Sequence, residues 1–212
     1  MYQPPAFRED RIEVQHELMR RHPLALLVTL GSGGLVANPV PFVLDAAAGE
    51  KGVLRAHLAR ANRQWRDADP AVEVLAIFSG AEHYITPSWY ETKRATGKVV
   101  PTWNYVIVQA YGRLVATEDA AWLRRQIAAL TAAQEAGRQE PWAIEDAPED
   151  FVAAQLKGIV GIELTITRIE AKWKASQNRP AADRAGVVAG LEREGTAEAL
   201  AMAAVVAARS SG

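Results

Sequence analysis

The sequence predicts a mainly β protein with few, peripheral helices, in which the strands form an antiparallel barrel or sandwich. About six or seven segments of strand length, apolar or alternating, follow one another through short turns. Strands do not alternate regularly with helices, and no GxGxxG motif follows a predicted strand, which disfavours a doubly wound dinucleotide-binding domain. The chain has 212 residues, of which 49% are hydrophobic, and this length is ample for one domain with a buried core.

The first predicted elements are a helix and a pair of strands. Apolar residues at helical spacing predict a helix over 8–22, which Pro23 ends. The apolar run Leu24–Leu30 predicts a buried strand, and a glycine-rich turn separates it from a second strand, Leu35–Leu44. Two prolines in the second strand cannot donate ladder hydrogen bonds, so we expect it at a sheet edge, or leaving the sheet there.

The middle of the chain adds most of the strands. Asp119 and the two residues before it are typical of a helix N-cap, and an apolar stripe continues from there to about Gln134. Residues 135–150 hold six acidic residues against one arginine, which predicts a solvated loop or an interaction edge. Strands are predicted over Gly52–His57, Val72–Phe78, His83–Thr86, Asn104–Ala116 and Ile159–Ile169, short helices over Arg60–Ala68 and Pro148–Leu156, and a polar loop over 91–102.

The C-terminal tail is rich in alanine. Ala181–Glu192 and Thr196–Ala208 predict two helices that Gly195 separates. We therefore expect a β domain over 1–180 and a helical extension over 181–212, packed on the β domain or on a partner chain.

Composition excludes several classes of function. Lys and Arg number 24 against 25 Asp and Glu, a net charge of −1 that argues against a broad electrostatic nucleic-acid binder, though not against a small local patch. The lack of cysteine excludes a disulfide scaffold, a thiolate metal site and a cysteine nucleophile. No GxSxG, HExxH or P-loop motif is present and the four histidines are scattered, so no catalytic set or metal site is predicted. No membrane span or signal-peptide pattern is visible, so we expect a soluble cytoplasmic protein.

Polar and aromatic residues concentrate in four short clusters that a core pattern would not need. The first, His57–Trp65, runs from a strand end into a predicted helix start. The free N–H groups of a helix N-terminus, together with the donor fork of Arg60, suit a phosphate. The alternative is a basic helix face in solvent.

The other three clusters carry aromatic rings, an amide or several cations. The aromatics of Tyr84–Tyr90 could stack on a planar ligand or form a small core beneath a loop. In Val100–Tyr105, Asn104 has a donor and an acceptor for the edge of a heterocycle, although the segment also suits a proline-fixed strand entry with an anchoring Trp. Lys172–Pro180 holds three cations and three neutral polar groups in nine residues, which suits an anion or a cofactor rim, or else an exposed loop before a helix.

Together these clusters resemble the PaiB family of FMN-binding proteins, which are described as negative transcriptional regulators. The SWY, PTWNY and KWKxSQN patterns are specific in combination, and the matching segments follow the family order over nearly the whole chain. One departure is Asn38, where the family usually has His. The matching segments are Pro23–Ala25, Ala56–Asn62 with Trp65, Tyr84–Tyr90, Val100–Tyr105, Ile159–Glu163 and Lys172–Arg179.

The resemblance implies an FMN-binding split β-barrel, antiparallel and with C-terminal helices, similar to pyridoxamine-phosphate oxidases and flavin reductases. In such folds two chains pair as a homodimer, and FMN lies in a groove at their interface. Arg60 looks like the arginine that binds the FMN phosphate in the wider superfamily. The candidate cofactor-binding residues are His57, Leu58, Ala59, Arg60, Ala61 and Asn62 near the phosphate, Trp103 and Asn104 on the isoalloxazine side, and Lys172, Lys174, Gln177 and Asn178 as candidates from the partner chain.

The cost of exposing tryptophan to water is a physical reason to expect a homodimer. Trp65, Trp89, Trp103 and Trp173 are costly to leave in water, at about 25 cal/mol for each Å² of apolar area. Burial against a second copy of the chain would relieve this cost.

Three functions are open on the sequence. The first is an FMN-binding negative regulator of transcription, which rests on the resemblance; the helix Thr196–Ala208 lacks cations, so a DNA contact would use Lys93, Arg94 and Lys98. The alternative is an FMN-dependent oxidoreductase without a DNA role, such as a flavin reductase, because the flavin itself carries the redox chemistry. The third is a flavin-free dimeric scaffold, which the departure at Asn38 favours.

Overall fold

The computed structural model describes residues 1–210 and contains a seven-stranded antiparallel sheet. The strands are β1 (Leu24–Gly31), β2 (Gly34–Pro41), β3 (Val43–Asp45), β4 (Val53–Ala59), β5 (Val74–Ile85), β6 (Thr102–Thr117) and β7 (Ile159–Lys174). Their order in the sheet is β2-β1-β5-β6-β7-β4-β3, so β2 and β3 lie at its two ends and the sheet is not closed. The antiparallel, mainly β class predicted from the sequence is confirmed.

Helices lie before, between and after these strands. They are α1 (Ile12–Arg21), α2 (Gln64–Asp67), α3 (Glu91–Thr96), α4 (Ala120–Glu135), α5 (Glu149–Leu156), α6 (Ala181–Glu194) and α7 (Ala197–Ala208). Short 3₁₀ turns cover Pro5–Phe7, Pro87–Trp89 and Ile144–Asp146. Within residues 1–210, no helix is both long and apolar enough to cross a membrane. The last two residues of the predicted extension 181–212, Ser211 and Gly212, lie outside the described residues.

The chain divides into two compact units. Unit 1 comprises Met1–Arg11, Ser79–Val108 and the described residues from Glu170 onward. Unit 2 comprises Ile12–Phe78 and Gln109–Ile169. The division 1–180 and 181–212 stays a prediction about how the chain is organised.

In unit 2, β1 and β2 form a hairpin whose register runs from Leu24 opposite Pro41 to Gly31 opposite Gly34. β2 is an edge strand, as its two prolines predict. Leu27 is fully buried and its neighbour Leu26 is exposed, which is the period-two alternation of a strand. The buried side chains of β1, β4, β5 and β7 form the core of this unit.

The predicted helix over Arg60–Ala68 is wrong at its start, because α2 begins only at Gln64. The Asn62 Oδ1 atom accepts a hydrogen bond from the Gln64 backbone N–H at 3.0 Å, and the Asn62 N–H donates to the Ala59 carbonyl at 2.9 Å. These bonds hold the preceding residues in a turn and keep them out of the helix. Arg60 therefore does not lie at a helix N-terminus.

Other element boundaries also differ from the sequence-based ones. The strands predicted over Val72–Phe78 and His83–Thr86 are one strand, β5, because pairing within a sheet overrides weak local propensity. The predicted polar loop 91–102 contains α3, which Gly97 ends in the left-handed conformation at φ 68°. The predicted cap of α4 is confirmed, since Asp119 Oδ1 accepts a hydrogen bond from the Trp122 N–H at 2.6 Å.

In unit 1, the two predicted tail helices are confirmed as α6 and α7, which pack on each other. Leu191 and Met202 are fully buried in the cluster that these helices share. Gly190 allows the Trp89 ring to lie against α6, since a Cβ atom there would come within 2.3 Å of that ring. α7 therefore packs its buried apolar residues within the chain.

The N-terminal segment contacts the C-terminal end of unit 1 through Glu9, which is 3% exposed. Its carboxylate accepts hydrogen bonds from Arg11 at 2.9 and 2.6 Å and pairs with Arg209 at 2.5 Å. The Arg209 guanidinium also lies over the Trp173 ring at 5.2 Å. The hydrogen bonds from Arg11, with Arg209 contributing, lower the pKa of Glu9 from 4.5 to about 2.

We expect Glu9→Gln to lower the free energy of unfolding at neutral pH by about 3 kcal/mol, the equivalent of this pKa depression. Because the folded pKa lies below the usual 4.5, ionised Glu9 stabilises the fold above that value, and the contribution is lost as pH falls toward about 2. Urea unfolding of the wild type and of Glu9→Gln at several pH values measures the two free energies of unfolding. Their difference should shrink as the pH falls. Glu17→Gln removes an exposed carboxylate and should change little. A gap that is independent of pH would contradict this role of Glu9.

Candidate functional site

The predicted segment His57–Asn62 lies in unit 2, at the end of β4 and in the turn that follows. His57 Nδ1 donates a hydrogen bond to Gln126 Oε1 on α4 at 2.7 Å, since the amide oxygen can only accept. Gly161, opposite His57 in the ladder, leaves room for the Trp122 ring of the same helix, which lies 2.3 Å from where a Cβ atom would be. His57 thus contributes to the docking of α4 on the sheet. Among its neighbours, Leu58 is buried, Ala59 and Ala61 are exposed and Asn62 is half-buried.

Arg60 already has partners on three of its nitrogens. Nε donates to the Lys157 carbonyl at 2.8 Å, and one terminal nitrogen donates to the Ile159 carbonyl at 3.2 Å. The other terminal nitrogen pairs with a carboxylate oxygen of Glu118 at 2.5 Å. A guanidinium carries five N–H donors, so two remain for a phosphate, but the Glu118 carboxylate would repel that phosphate.

Asn38, the departure from the family pattern, has a structural contact. Its amide nitrogen donates to Gln64 Oε1 at 2.9 Å, and the Gln64 amide nitrogen donates to the Leu27 carbonyl at 2.9 Å. Gln64 is 4% exposed, so these bonds are shielded from water. The pair ties α2 to the β1–β2 hairpin.

In unit 1, two exposed aromatic rings lie side by side. Trp103 is 51% exposed and Tyr84 is 43% exposed. Their ring centroids are 6.2 Å apart at an interplanar angle of 70°, an edge-to-face arrangement. The pair presents planar apolar surface that no side chain of its own unit covers fully. Of the four tryptophans expected to need a second chain, Trp173 is 7% exposed and Trp65 and Trp89 are half-buried, so that expectation rests on Trp103.

The ammonium groups of Lys172 and Lys174 lie in the same region of unit 1. Lys174 Nζ donates to the Trp103 carbonyl at 2.6 Å and to Thr102 Oγ1, and Lys172 Nζ donates to the Tyr2 carbonyl at 3.2 Å. The two ammonium groups lie 5.8 and 5.2 Å from the Tyr105 ring centroid. We call Tyr84, Trp103, Tyr105, Lys172 and Lys174 the aromatic–cationic surface; within it, Lys172 is only 6% exposed and Lys174 is half-buried.

The charge of the aromatic–cationic surface is not compensated by acidic groups. Burial is the main cause that lowers the pKa of Lys174, and the nearby cations Lys172 and Arg179 lower it further. Within residues 1–210, neither Lys172 nor Lys174 has a carboxylate partner. A bound anion would therefore stabilise the protonated form of Lys174.

The turn after β7 brings further predicted residues to this region. Asn104 is 1% exposed, and its amide nitrogen donates to Ser176 Oγ at 2.9 Å. The Gln177 side chain accepts a hydrogen bond from the Ala175 N–H at 2.7 Å and donates to the Trp173 carbonyl at 2.5 Å, so its amide holds the turn together. Asn178 is exposed.

Sequence reasoning misses three residues of this region. Tyr84 and Ser176 stand in clusters that the sequence singles out, yet neither is among the candidate site residues. Tyr105 ends the PTWNY pattern and reaches both ammonium groups, a contact that appears only when β6 and β7 are folded. No local pattern shows that Ser176 takes a positive φ of 62°.

The residues of the aromatic–cationic surface suit FMN, which joins a planar ring system to an anionic phosphate. Exposed aromatic rings offer a stacking surface, and uncompensated ammonium groups offer charge-assisted hydrogen bonds. In unit 2, Arg60 suits the phosphate only if the Glu118 carboxylate releases its ion pair with Arg60. Within residues 1–210, no three His, Asp or Glu side chains are grouped to hold a metal ion.

Comparison with known proteins decides the family. A family model described as "Putative FMN-binding domain" matches residues 1–168. The chain belongs to this FMN-binding family. It is 37% identical to an uncharacterized protein of Emericella nidulans over 92% of each chain. It is 29% identical to the protease synthase and sporulation protein PAI 2 of Bacillus subtilis, covering 96% of this chain and 95% of that protein.

These findings confirm the resemblance to the PaiB family and FMN as the cofactor of the family. Among solved structures, the flavocytochrome Anf3 from Azotobacter vinelandii superposes with a TM-score of 0.55 at 16% identity, covering 79% of this chain and 69% of that chain. At this identity the similarity concerns the fold alone. The predicted split β-barrel is confirmed.

The contact of Arg60 with phosphate stays a prediction, and Glu118 provides its test. If Arg60 binds the FMN phosphate, we expect Arg60→Ala to weaken FMN binding about tenfold, the loss of one charge-assisted hydrogen bond. Glu118→Gln should tighten binding, because it removes a competing carboxylate at 2.5 Å. Fluorescence titration with FMN measures both, with Arg66→Ala as a control on an exposed neighbouring arginine. Unchanged FMN affinity in Arg60→Ala, with a lower melting temperature, would show a structural role instead.

Proposed function

We propose that the chain binds FMN at the aromatic–cationic surface of unit 1 and acts as a flavoprotein. The observation that carries the proposal is the exposed Trp103–Tyr84 pair beside two ammonium groups without carboxylate partners in residues 1–210. FMN supplies the electron-transfer chemistry, and the protein supplies binding, orientation and electrostatics. Family membership supports the same cofactor.

Each residue of the surface has a definable role in this proposal. Trp103 and Tyr84 present ring faces or edges for the isoalloxazine system. Lys174 uses two of its three donors on Thr102 and Trp103, so one remains for an anionic oxygen, and the ammonium is already oriented. Lys172 adds positive charge that stabilises a phosphate. Contacts of the other candidates stay predictions: His57, Leu58, Ala59, Ala61, Asn62, Asn104, Gln177 and Asn178.

We expect Lys174→Met and Trp103→Ala each to weaken FMN binding at least about tenfold, because each loses one charge-assisted hydrogen bond or one stacking surface. Quenching of flavin fluorescence during titration of the FMN-free protein measures the dissociation constant. Lys98→Met and Trp142→Ala change the same residue types at exposed positions elsewhere and serve as matched controls. Wild-type protein that does not bind FMN would contradict the proposal and favour the flavin-free scaffold.

The proposal includes a homodimer, which the exposed face of the β1–β2 hairpin supports. Leu24, Leu26 and Leu30 lie on one face of β1, directly opposite Pro41, Pro39 and Leu35 of β2. Leu24 is 63% exposed and Leu35 is 76% exposed, whereas Ala25 and Leu27 on the other face of β1 are fully buried. The register also places Ile77 of β5 beside Leu26 on this face. An apolar strip of this extent on an edge hairpin suits a second copy of the chain.

We expect the double variant Leu24→Glu with Leu35→Glu to be monomeric at micromolar concentration, because four carboxylates would meet across a two-fold interface. Light scattering measures the mass. Leu200→Glu, at a position that is 47% exposed on α7, is the matched control and should stay dimeric. A monomeric wild type, or a dimer that tolerates the double variant, would contradict this interface.

A regulatory role in transcription is a second candidate function, and the exposed cations around α3 are the observation that favours it. Lys93, Arg94 and Lys98 are exposed within one short segment. Part of this charge is engaged locally, since Lys93 Nζ donates to Ser88 Oγ at 3.1 Å and Arg94 pairs with Glu91 at 3.1 Å. α7 packs on α6 through Met202 and Val206, and it carries no cation, so it does not suit a recognition helix.

A gel-shift titration at physiological salt, with the FMN-loaded protein and DNA from its own genome, tests this role. A regulator should bind a specific sequence, and Lys93→Ala with Arg94→Ala should weaken binding to all sequences through lost phosphate contacts. Lys51→Ala with Arg20→Ala is the control at exposed cations in unit 2. Non-specific binding alone, together with bleaching of the flavin by NAD(P)H under turnover, would favour an FMN-dependent oxidoreductase.

A further inference from the structure

We propose that Asn104 and Ser176 are positioning residues: their buried hydrogen bond fixes the Trp103 ring and the Lys174 ammonium relative to each other. The two residues belong to two short segments of unit 1, residues 102–104 at the start of β6 and residues 174–176 at the end of β7. The consequence for FMN rests on the proposed function. The positioning itself is a property of the protein without FMN.

Three hydrogen bonds join these segments. Lys174 reaches back to the Trp103 carbonyl at 2.6 Å and to Thr102 Oγ1, while Asn104 donates to Ser176 Oγ at 2.9 Å. Trp103 lies between the two β6 residues whose side chains make these bonds. The backbone that carries the exposed indole is thus held on both sides by the end of β7.

The backbone at Ser176 shows that this arrangement is imposed rather than locally preferred. Ser176 has a φ of 62°, the left-handed region that few residues other than glycine adopt without cost. Such a conformation persists only where surrounding contacts determine it. The contacts here are the bond from Asn104 and the Gln177 amide, which bonds to the backbone on both sides of Lys174.

Burial separates this role from direct contact with a ligand. Asn104 is 1% exposed and Ser176 is 3% exposed, whereas Trp103 is 51% exposed. Asn104 Oδ1 is buried without a hydrogen-bond partner in residues 1–210. The inferred role of Asn104 is therefore through Ser176, while its direct contact with the isoalloxazine edge stays a prediction.

The first test uses the protein without FMN. Ser176→Gly removes the hydroxyl but suits the positive φ, so the turn keeps its backbone conformation. In protein labelled with 5-fluorotryptophan, with the Trp103 resonance assigned through Trp103→Phe, we expect Ser176→Gly to shift and broaden that resonance. Ser32→Gly, in an exposed turn of unit 2, is the matched control and should leave it unchanged. A Trp103 resonance identical to wild type in Ser176→Gly would overturn the proposal.

The second test asks through which residue Ser176 acts. We expect Ser176→Gly to weaken FMN binding about tenfold in the wild-type background, as for the loss of one positioning hydrogen bond. In the Lys174→Met background the same change should alter the dissociation constant less than about twofold, because the positioned group is absent. Full additivity of the two effects would overturn the positioning role and indicate direct contact. If the wild type does not bind FMN, the proposed function fails while the fluorine resonance still decides the positioning.

Discussion

Apolar side chains on both faces of β1 are the constraint on which unit 2 depends. A strand sends alternate residues to opposite faces, and here Leu27 enters the core while Leu26 faces outward. In most sheets, polarity sets the register because a shift by one residue would expose the core face. Polarity cannot do this in β1, since both faces are apolar. The register depends instead on the tight turn at Gly31–Gly34 and on Gln64, whose amide bonds to the Leu27 and Val36 carbonyls of the two strands.

This constraint also explains why polar residues near the β1–β2 hairpin are structural. Gln64 and Asn38 are polar groups in an apolar setting, and each is satisfied by a hydrogen bond to the other. The segment 57–65 contains histidine, arginine, asparagine and glutamine, a set that suits ligand binding in a sequence. In the fold, His57 bonds to α4, Arg60 to the start of β7, Asn62 to the start of α2 and Gln64 to the hairpin.

Unit 1 differs from unit 2, because some of its aromatic rings stay exposed and some of its lysines have no carboxylate partner in residues 1–210. Burial, together with the nearby charges of Lys172 and Arg179, lowers the pKa of Lys174, so its charged state is costly when no anion is present. Trp103 and Tyr84 remain exposed although Trp89, in the adjacent stretch of sequence, packs closely on α6. Such features are typical of ligand-binding sites, and this is the physical basis of the proposal that FMN binds there.

Much of the fold was predictable from local pattern. The prolines of β2 placed it at an edge, Asp119 marked the start of α4, and Gly195 separated α6 from α7, since each depends on backbone geometry or on a nearby donor. The start of α2 was not predictable in the same way, because Asn62 could equally continue a helix or, as it does, cap the turn before it. The continuity of β5 depends on its neighbours in the sheet.

For the candidate site, the sequence by itself determined which residue types gather in which short segments, and the family to which they belong. Trp103, Lys172 and Lys174 were expected as cofactor residues on that ground. Only the tertiary structure decided which of the expected groups are exposed and unpaired: Trp103 is exposed, Asn104 is buried against Ser176, and Arg60 is engaged by Glu118. The reason is that burial and pairing depend on residues distant in the chain, 72 positions apart for Asn104 and Ser176 and 58 for Arg60 and Glu118, and no local pattern of the sequence specifies such contacts.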